Sequence, residues 1–366
     1  MAENKQYTEL LLETLRCELW QRPFPHKKLS DDEMKFLLDE GERQTVAGLV
    51  ASTLMQNSVE LGVMNVLEMM SFVRQIQGDN TKLNDDLLRF ARAMTGGGLD
   101  FIVVKGQTLA ALYPHPDLRT AGDVDFYCPG FDYRTQKAQL ESILGIELPR
   151  NAPRKETGFD WGEGRFELHN QLLLLAYPPH RKYWKKALAE SVQKNHRVKI
   201  EDTDIHTLDP ALNVAYTFAH LFIHFVKEGI GLRHLCDLAV IVHHYHKDID
   251  GNTLKTMLQR MGLLKAFMAF GHVLKDYLDM PVEDFPFPLD QRYRRYSKKL
   301  MDDILYSGNF AKTVREETHS KSGYKWVTFK MMARRCWKYF RLAPLECTFF
   351  VPNYIQTNLW ELRRGE

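Results

Sequence analysis

Apolar residues recur every three or four positions from residue 6 to about 95, through Leu10, Leu11, Leu15 and Leu19 and again through Met34, Leu37, Leu38, Val46 and Leu49. That spacing lines one face of a helix and predicts a helical segment over residues 1–95. Ser30 with Glu33 three residues on reads as a capping box opening the second helix. The block ends at Thr95-Gly96-Gly97-Gly98, where consecutive glycines leave little helix propensity. Past them the period changes. Phe101-Ile102-Val103-Val104 is a short, continuous run of the kind found in a buried strand. Asp123-Val124-Asp125-Phe126-Tyr127-Cys128 and Arg165-Phe166-Glu167-Leu168-His169 alternate polar and apolar with the period of a strand. Helical patterns at about 106–113 and 134–144 lie between them, giving an α/β unit over 96–206. Helices resume over 207–366, with Asp209 as an N-cap and Pro210 in the first helical position.

A chain of 366 residues exceeds the usual size of one hydrophobic core, so two or three packed units are expected. With 44% apolar and 26% charged residues, the composition is that of a folded globular chain and excludes disorder over most of its length. Neither a signal peptide nor an apolar run of membrane-spanning length is recognisable, so the expected chain has no membrane contact. Five scattered cysteines without a C-x-x-C pair suggest neither a disulfide framework nor a zinc ribbon, and a reducing, cytoplasmic setting is expected. Net charge is +2, yet residues 291–341 hold 14 Lys and Arg against 4 Asp and Glu. Basic and aromatic residues alternate there, as in Arg292-Tyr293-Arg294-Arg295-Tyr296 and Arg334-Arg335-Cys336-Trp337-Lys338-Tyr339. That texture suits RNA. Long cationic side chains snorkelling from amphipathic helices produce it too, and a solvated helical surface is the expected reading.

Chemistry concentrates in Gly122-Asp123-Val124-Asp125. Side chains two apart on a strand share a face, with Cα atoms about 6.5 Å apart. Strands disfavour Asp, and two carboxylates in one small volume repel unless a cation offsets them. A hard divalent ion with oxygen ligands is the economical explanation, Mg²⁺ or the similar Mn²⁺, with Glu167 a third donor from another strand. Upstream, the strand ending at Val104 runs into Lys105-Gly106-Gln107-Thr108 and a helical stretch. A strand, a glycine turn and a helix start expose backbone N–H groups to an anion, with Lys105 and Thr108 adding a charge and a hydroxyl.

Taken together, Val104-Lys105-Gly106, Tyr113-Pro114, Arg119-x-x-Gly122-Asp123-Val124-Asp125-Phe126, Phe166-Glu167-Leu168-His169 and Gly231-Leu232-Arg233-x-x-x-Asp237-x-Ala239 resemble the bacterial uncharacterised nucleotidyltransferase family of the polymerase-beta-like superfamily. The resemblance implies an α+β fold, a small mixed-sheet core between N-terminal and C-terminal helical regions. It also implies Mg²⁺ at Asp123, Asp125 and Glu167, and transfer of a nucleoside monophosphate from an NTP with release of pyrophosphate. Lys105, Gly106, Thr108, Arg119 and Gly122 fall where the nucleotide would be held. The superfamily usually carries Gly-Ser or Gly-Gly at the turn that here reads Lys105-Gly106-Gln107-Thr108.

Other residues have two readings each. Arg119 could grip a phosphate with its planar fork or tie its loop to a carbonyl. His169 is expected to orient Glu167. Asn213, Thr217, His220 and His224 make a polar stripe on an otherwise apolar helix. His220 and His224 are expected to hydrogen-bond at an interface or line a cleft, since no third zinc ligand accompanies them. His243, His244 and His246 read as a solvated helix end. The acceptor is left open, with a small molecule or protein hydroxyl favoured over RNA. A nucleotide-binding scaffold without catalysis, and an RNA-modifying transferase docking through the basic segment, are the alternatives.

Overall fold

The computed structural model describes residues 2–150, 156–308 and 321–364. The chain forms two compact units, one of Met1–Leu172 with Leu188–Asn213 and one of Leu173–Ala187 with Val214–Glu366.

The first unit opens with helices α1 (Ala2–Trp20), α2 (Asp31–Arg43), α3 (Ala47–Gln56) and α4 (Val63–Gly96). The capping box forms as the sequence predicts: Ser30 Oγ accepts from the Glu33 N–H at 3.3 Å while the Glu33 carboxylate accepts from the Ser30 N–H at 2.8 Å. Helix α4 stops where the glycine run begins. Then follow β1 (Ile102–Val104), α5 (Gly106–Ala110), β2 (Val124–Tyr127), α6 (Tyr133–Leu144), β3 (Glu156–Trp161) and β4 (Gly164–His169). The strands form one mixed sheet in the order β1-β2-β4-β3, with β2 and β4 parallel and the outer pairs antiparallel. This is the small mixed sheet flanked by helices that the family resemblance implies.

Period-two alternation gives the sheet two unlike faces. On one, Phe126 and Phe166 are fully buried, and Phe90 of α4 lies 4.8 and 4.9 Å from their ring centroids. Phe159 and Trp161 extend the cluster in edge-on and stacked contacts. The other face carries Asp125 and Glu167, which oppose each other in the parallel register. Strand β3 escaped the sequence reading because Gly158 interrupts its pattern. The Arg165 guanidinium of β4 lies over Gly158, at the end of a half-exposed side chain that could swing aside for a Cβ. Helix α7 (Pro178–Gln193) and a separate hairpin, β5 (Arg197–Ile200) with β6 (Thr203–His206), also went unread.

Helix α8 (Pro210–Lys227) begins at the proline, as expected, and carries the chain into the second unit, which is helical. Its further helices are α9 (Leu232–Tyr245), α10 (Gly251–Arg260), α11 (Leu264–Leu278), α12 (Ser297–Ser307), α13 (Lys321–Lys338) and α14 (Pro344–Arg364). Phe270 packs on Phe218 and Phe225, and Tyr339 lies against Phe225. Glu346, 1% exposed, accepts from the Ala176 and Tyr177 N–H groups at 2.6 and 3.2 Å and contacts His180 Nδ1 at 2.7 Å. Several of the basic residues are engaged within the fold: Arg292 pairs with Asp290, Arg294 with Asp276, Lys298 with Asp302 and Lys338 with Asp303. Arg335 is buried against the Phe225 carbonyl and Ser307. Residues 309–320 of the basic segment lie outside the described residues. All five cysteines are buried thiols. No described helix is long and apolar enough to cross a membrane.

Candidate active site

Three polar side chains of α4 hold the pieces that surround the acidic face. Asn80 donates to the carbonyls of Asp117 and Arg119, each at 2.9 Å, fixing the loop before β2. Asn84, one turn on, accepts from the Gln107 amide of α5 at 2.5 Å. Asp86 accepts from the Glu163 and Gly164 N–H groups at 2.7 and 3.0 Å, closing the β3–β4 turn. A Cβ at Gly162 in that turn, where φ is +64°, would collide with the Asp86 carboxylate. The Asn80 and Asp86 contacts satisfy backbone groups of the loop and the turn, and the Asn84 contact ties α5 to α4 side chain to side chain.

Between β1 and α5 the backbone turns sharply, with φ of +57° at Lys105 and +42° at Gly106. A left-handed lysine is uncommon and costs free energy, so the surrounding contacts must hold it. They do. Thr108 Oγ1 donates to the Lys105 carbonyl at 2.7 Å, and Lys105 Nζ lies 2.9 Å from Asp125 Oδ2. Gly106 sits so close to β2 that a Cβ would come 3.0 Å from the Asp123 carbonyl oxygen. Gly106→Ala combines that crowding with an unfavourable φ and should destabilise the protein by about 1–2 kcal/mol, read by urea denaturation. An unchanged midpoint would mean that the turn relaxes freely.

Parallel pairing puts Asp125 opposite Glu167, and His169 falls diagonally across from Asp125. His169 Nε2 meets Asp125 Oδ1 at 2.5 Å and lies 3.9 Å from Glu167 Oε2. The histidine therefore orients Asp125, not Glu167 as the sequence suggested. Its Nδ1 is 3.5 Å from Glu156 Oε2 on β3, the strand paired with β4. Asp125, Glu167 and His169 each place a donor atom within 4.8 Å of the others. Asp123, just before β2, stands outside that set but near enough to act on Glu167.

The two carboxylates have opposite electrostatics. Burial disfavours the Asp125 anion, yet the Lys105 charge and the His169 hydrogen bond outweigh it and hold the carboxyl well below its usual range. Glu167 is pushed up to about 7, first by desolvation and then by repulsion from Glu156, Asp123 and Asp125. Between its ordinary value of 4.5 and about 7, folded Glu167 keeps a proton that the unfolded chain releases. Its contribution to the stability of the metal-free protein therefore falls as pH rises through that window. Glu167→Gln removes the repulsion and should melt at a higher temperature than wild type above pH 7, the two converging near pH 4.5. A variant that melts lower throughout would contradict this electrostatic account.

Such crowding fits a divalent cation, which would relieve it, and the donors are hard oxygens with one imidazole. Asp125, Glu167 and the His169 imidazole place the ligand atoms that could hold it, while Asp123 stands nearby, outside that set. Among the other sequence candidates, Lys105, Gly106 and Thr108 make the turn beside this face, and Gly122 is an exposed loop residue before Asp123. Arg119 is 3% exposed, with its guanidinium 3.5 Å from the Thr120 carbonyl. His220 and His224 belong to the second unit, their Nε2 atoms 3.1 Å apart, and are not part of this cluster. Sequence reasoning missed Glu156, Asn80 and Asn84. Only the pairing of β3 with β4 brings Glu156 to the site, and the asparagines look like ordinary helix-surface residues.

A family model described as uncharacterised nucleotidyltransferase matches residues 30–279, most of the chain, and the protein belongs to that family. No curated protein and no solved structure matches it.

Proposed function

We propose that this nucleotidyltransferase is Mg²⁺-dependent and moves a nucleoside monophosphate from an NTP to a hydroxyl of a small molecule or protein. The observation that supports this reading best is the register of β2 and β4. It sets Asp125 against Glu167 on one face, with an ammonium group already on Asp125. The acceptor oxygen bonds to the α-phosphorus as the bond to the pyrophosphate oxygen breaks, and the hydroxyl proton goes to a base. Bound Mg²⁺ would neutralise the triphosphate and favour in-line displacement. Lys105 supplies positive charge at the edge of the acidic face, where the phosphates would lie. His169 keeps Asp125 ionised and aimed. Glu167, whose carboxyl the crowding pushes up in the metal-free chain, would be held ionised by the cation it helps to bind.

The test incubates the purified chain with each α-labelled NTP, Mg²⁺ or Mn²⁺, and cell lysate. The expected result is label on a small molecule or protein, lost on chelation of the metal. Nucleotide binding without transfer would overturn the catalytic reading, and label confined to RNA would move the acceptor to that class.

A further inference from the structure

A second cluster of donors lies in the helical unit and takes no part in the chemistry above. His243 and His246 stand three residues apart at the end of α9, and Asp284 closes the short turn Val282–Asp284. His243 Nδ1 is 2.5 Å from Asp284 Oδ2, and His246 Nε2 is 3.5 Å from Asp284 Oδ1. All three residues offer a ligand atom within 4.8 Å of the others. The sequence reads these histidines as a solvated helix end; the structure instead gathers two of them on a carboxylate that is 4% exposed.

One hydrogen bond fixes the chemistry of the group. His246 Nδ1 lies 2.5 Å from the His243 carbonyl. A carbonyl only accepts, so Nδ1 carries the hydrogen, and Nε2 of the neutral ring presents a lone pair. That lone pair faces Asp284 Oδ1, a second acceptor. Two acceptors at 3.5 Å are relieved by a proton, by a water donating to both, or by a metal ion that takes both as ligands. A backbone carbonyl accepting from the far nitrogen of the ring is also the usual support of a metal-ligating histidine. The C-terminal end of α9 adds negative potential at the same place.

The second wall of the site is held firmly. The Asp284 N–H donates to the Pro281 carbonyl at 3.2 Å, and Phe285 and Phe287 are buried just beyond it. A Cβ at Gly251, the first residue of α10, would collide with the Pro286 carbonyl, so this segment lies flush against that helix. The His243 side chain, by contrast, is 47% exposed and leaves the approach open to water.

We propose that His243, His246 and Asp284 form a transition-metal site of the zinc type, with water completing the coordination. Two imidazoles and one carboxylate suit Zn²⁺ far better than Mg²⁺, which prefers oxygen donors throughout. The site is independent of the acidic face of the sheet and of the reaction proposed there.

The experiment uses the tag-free full chain, stripped with a chelator and titrated calorimetrically with Zn²⁺ under excess Mg²⁺. Wild type should bind one more equivalent of Zn²⁺ than His246→Ala or Asp284→Asn. Co²⁺ added to wild type should give visible absorption bands of four-coordinate geometry, absent from His246→Ala. The Co²⁺ spectrum of wild type keeps the proposal testable even where a variant folds poorly. Equal stoichiometry in wild type and both variants, or no such bands in wild type, would overturn it. In that case the three residues are a hydrogen-bonded clasp, and Asp284→Asn should lower the melting temperature equally with and without Zn²⁺.

Discussion

Asp125→Asn is expected to reduce nucleotidyl transfer by about 10³-fold or more, the scale on which groups acting together in catalysis fail when one is removed. The side chain keeps its size and loses only its charge, and that charge holds Lys105 and His169 at 2.9 and 2.5 Å. Lys105 has a side chain only 16% exposed, so losing its counter-ion should cost about 3 kcal/mol of stability as well. Single-turnover transfer of labelled nucleotide checks the first effect, and urea denaturation the second. Transfer within tenfold of wild type would remove Asp125 from the mechanism. Normal stability with lost activity would mean that the ammonium finds water instead.

In the helical unit, Glu346→Ala should be the most damaging single change, costing about 3–5 kcal/mol. It strips two backbone N–H groups and an imidazole of their common acceptor where the carboxylate is 1% exposed. Glu346→Gln retains one acceptor oxygen and should cost less. Denaturation followed by circular dichroism measures both. A loss below about 1 kcal/mol for the alanine variant would show that the orphaned donors are solvated after all.

Much of this was legible in the chain because it rests on local rules. The Ser30–Glu33 cap, the glycine stop after α4, the strand at residues 102–104 and the two alternating strands need only nearest-neighbour patterns. Asp125 opposite Glu167 follows from alternation plus parallel pairing, and only the first is visible in sequence. The rest depends on partners far along the chain. Strand β3 hides behind Gly158, which breaks its alternation, and shows itself only through its pairing with β4. His169 turns to Asp125 because of a diagonal that register alone defines. His243 and His246 look like a wet helix end until Asp284, about forty residues later, comes beside them.

Helix α4 has a consequence for the order of assembly. Its 34 residues span about 51 Å. Along them Asn80, Asn84, Asp86 and Phe90 carry the anchors for one loop, one turn, one hairpin and the aromatic face of the sheet. A helix forms from local contacts in microseconds at most, whereas joining β2 to β4 must close some forty residues of chain. We expect α4 to act as the template on which those strands find their register. Phe90→Leu should then slow folding, while changes in the β5–β6 hairpin should mainly hasten unfolding. On this route the carboxylates of Asp125 and Glu167 are forced together only as the ladder closes, after the aromatic face has already committed the chain.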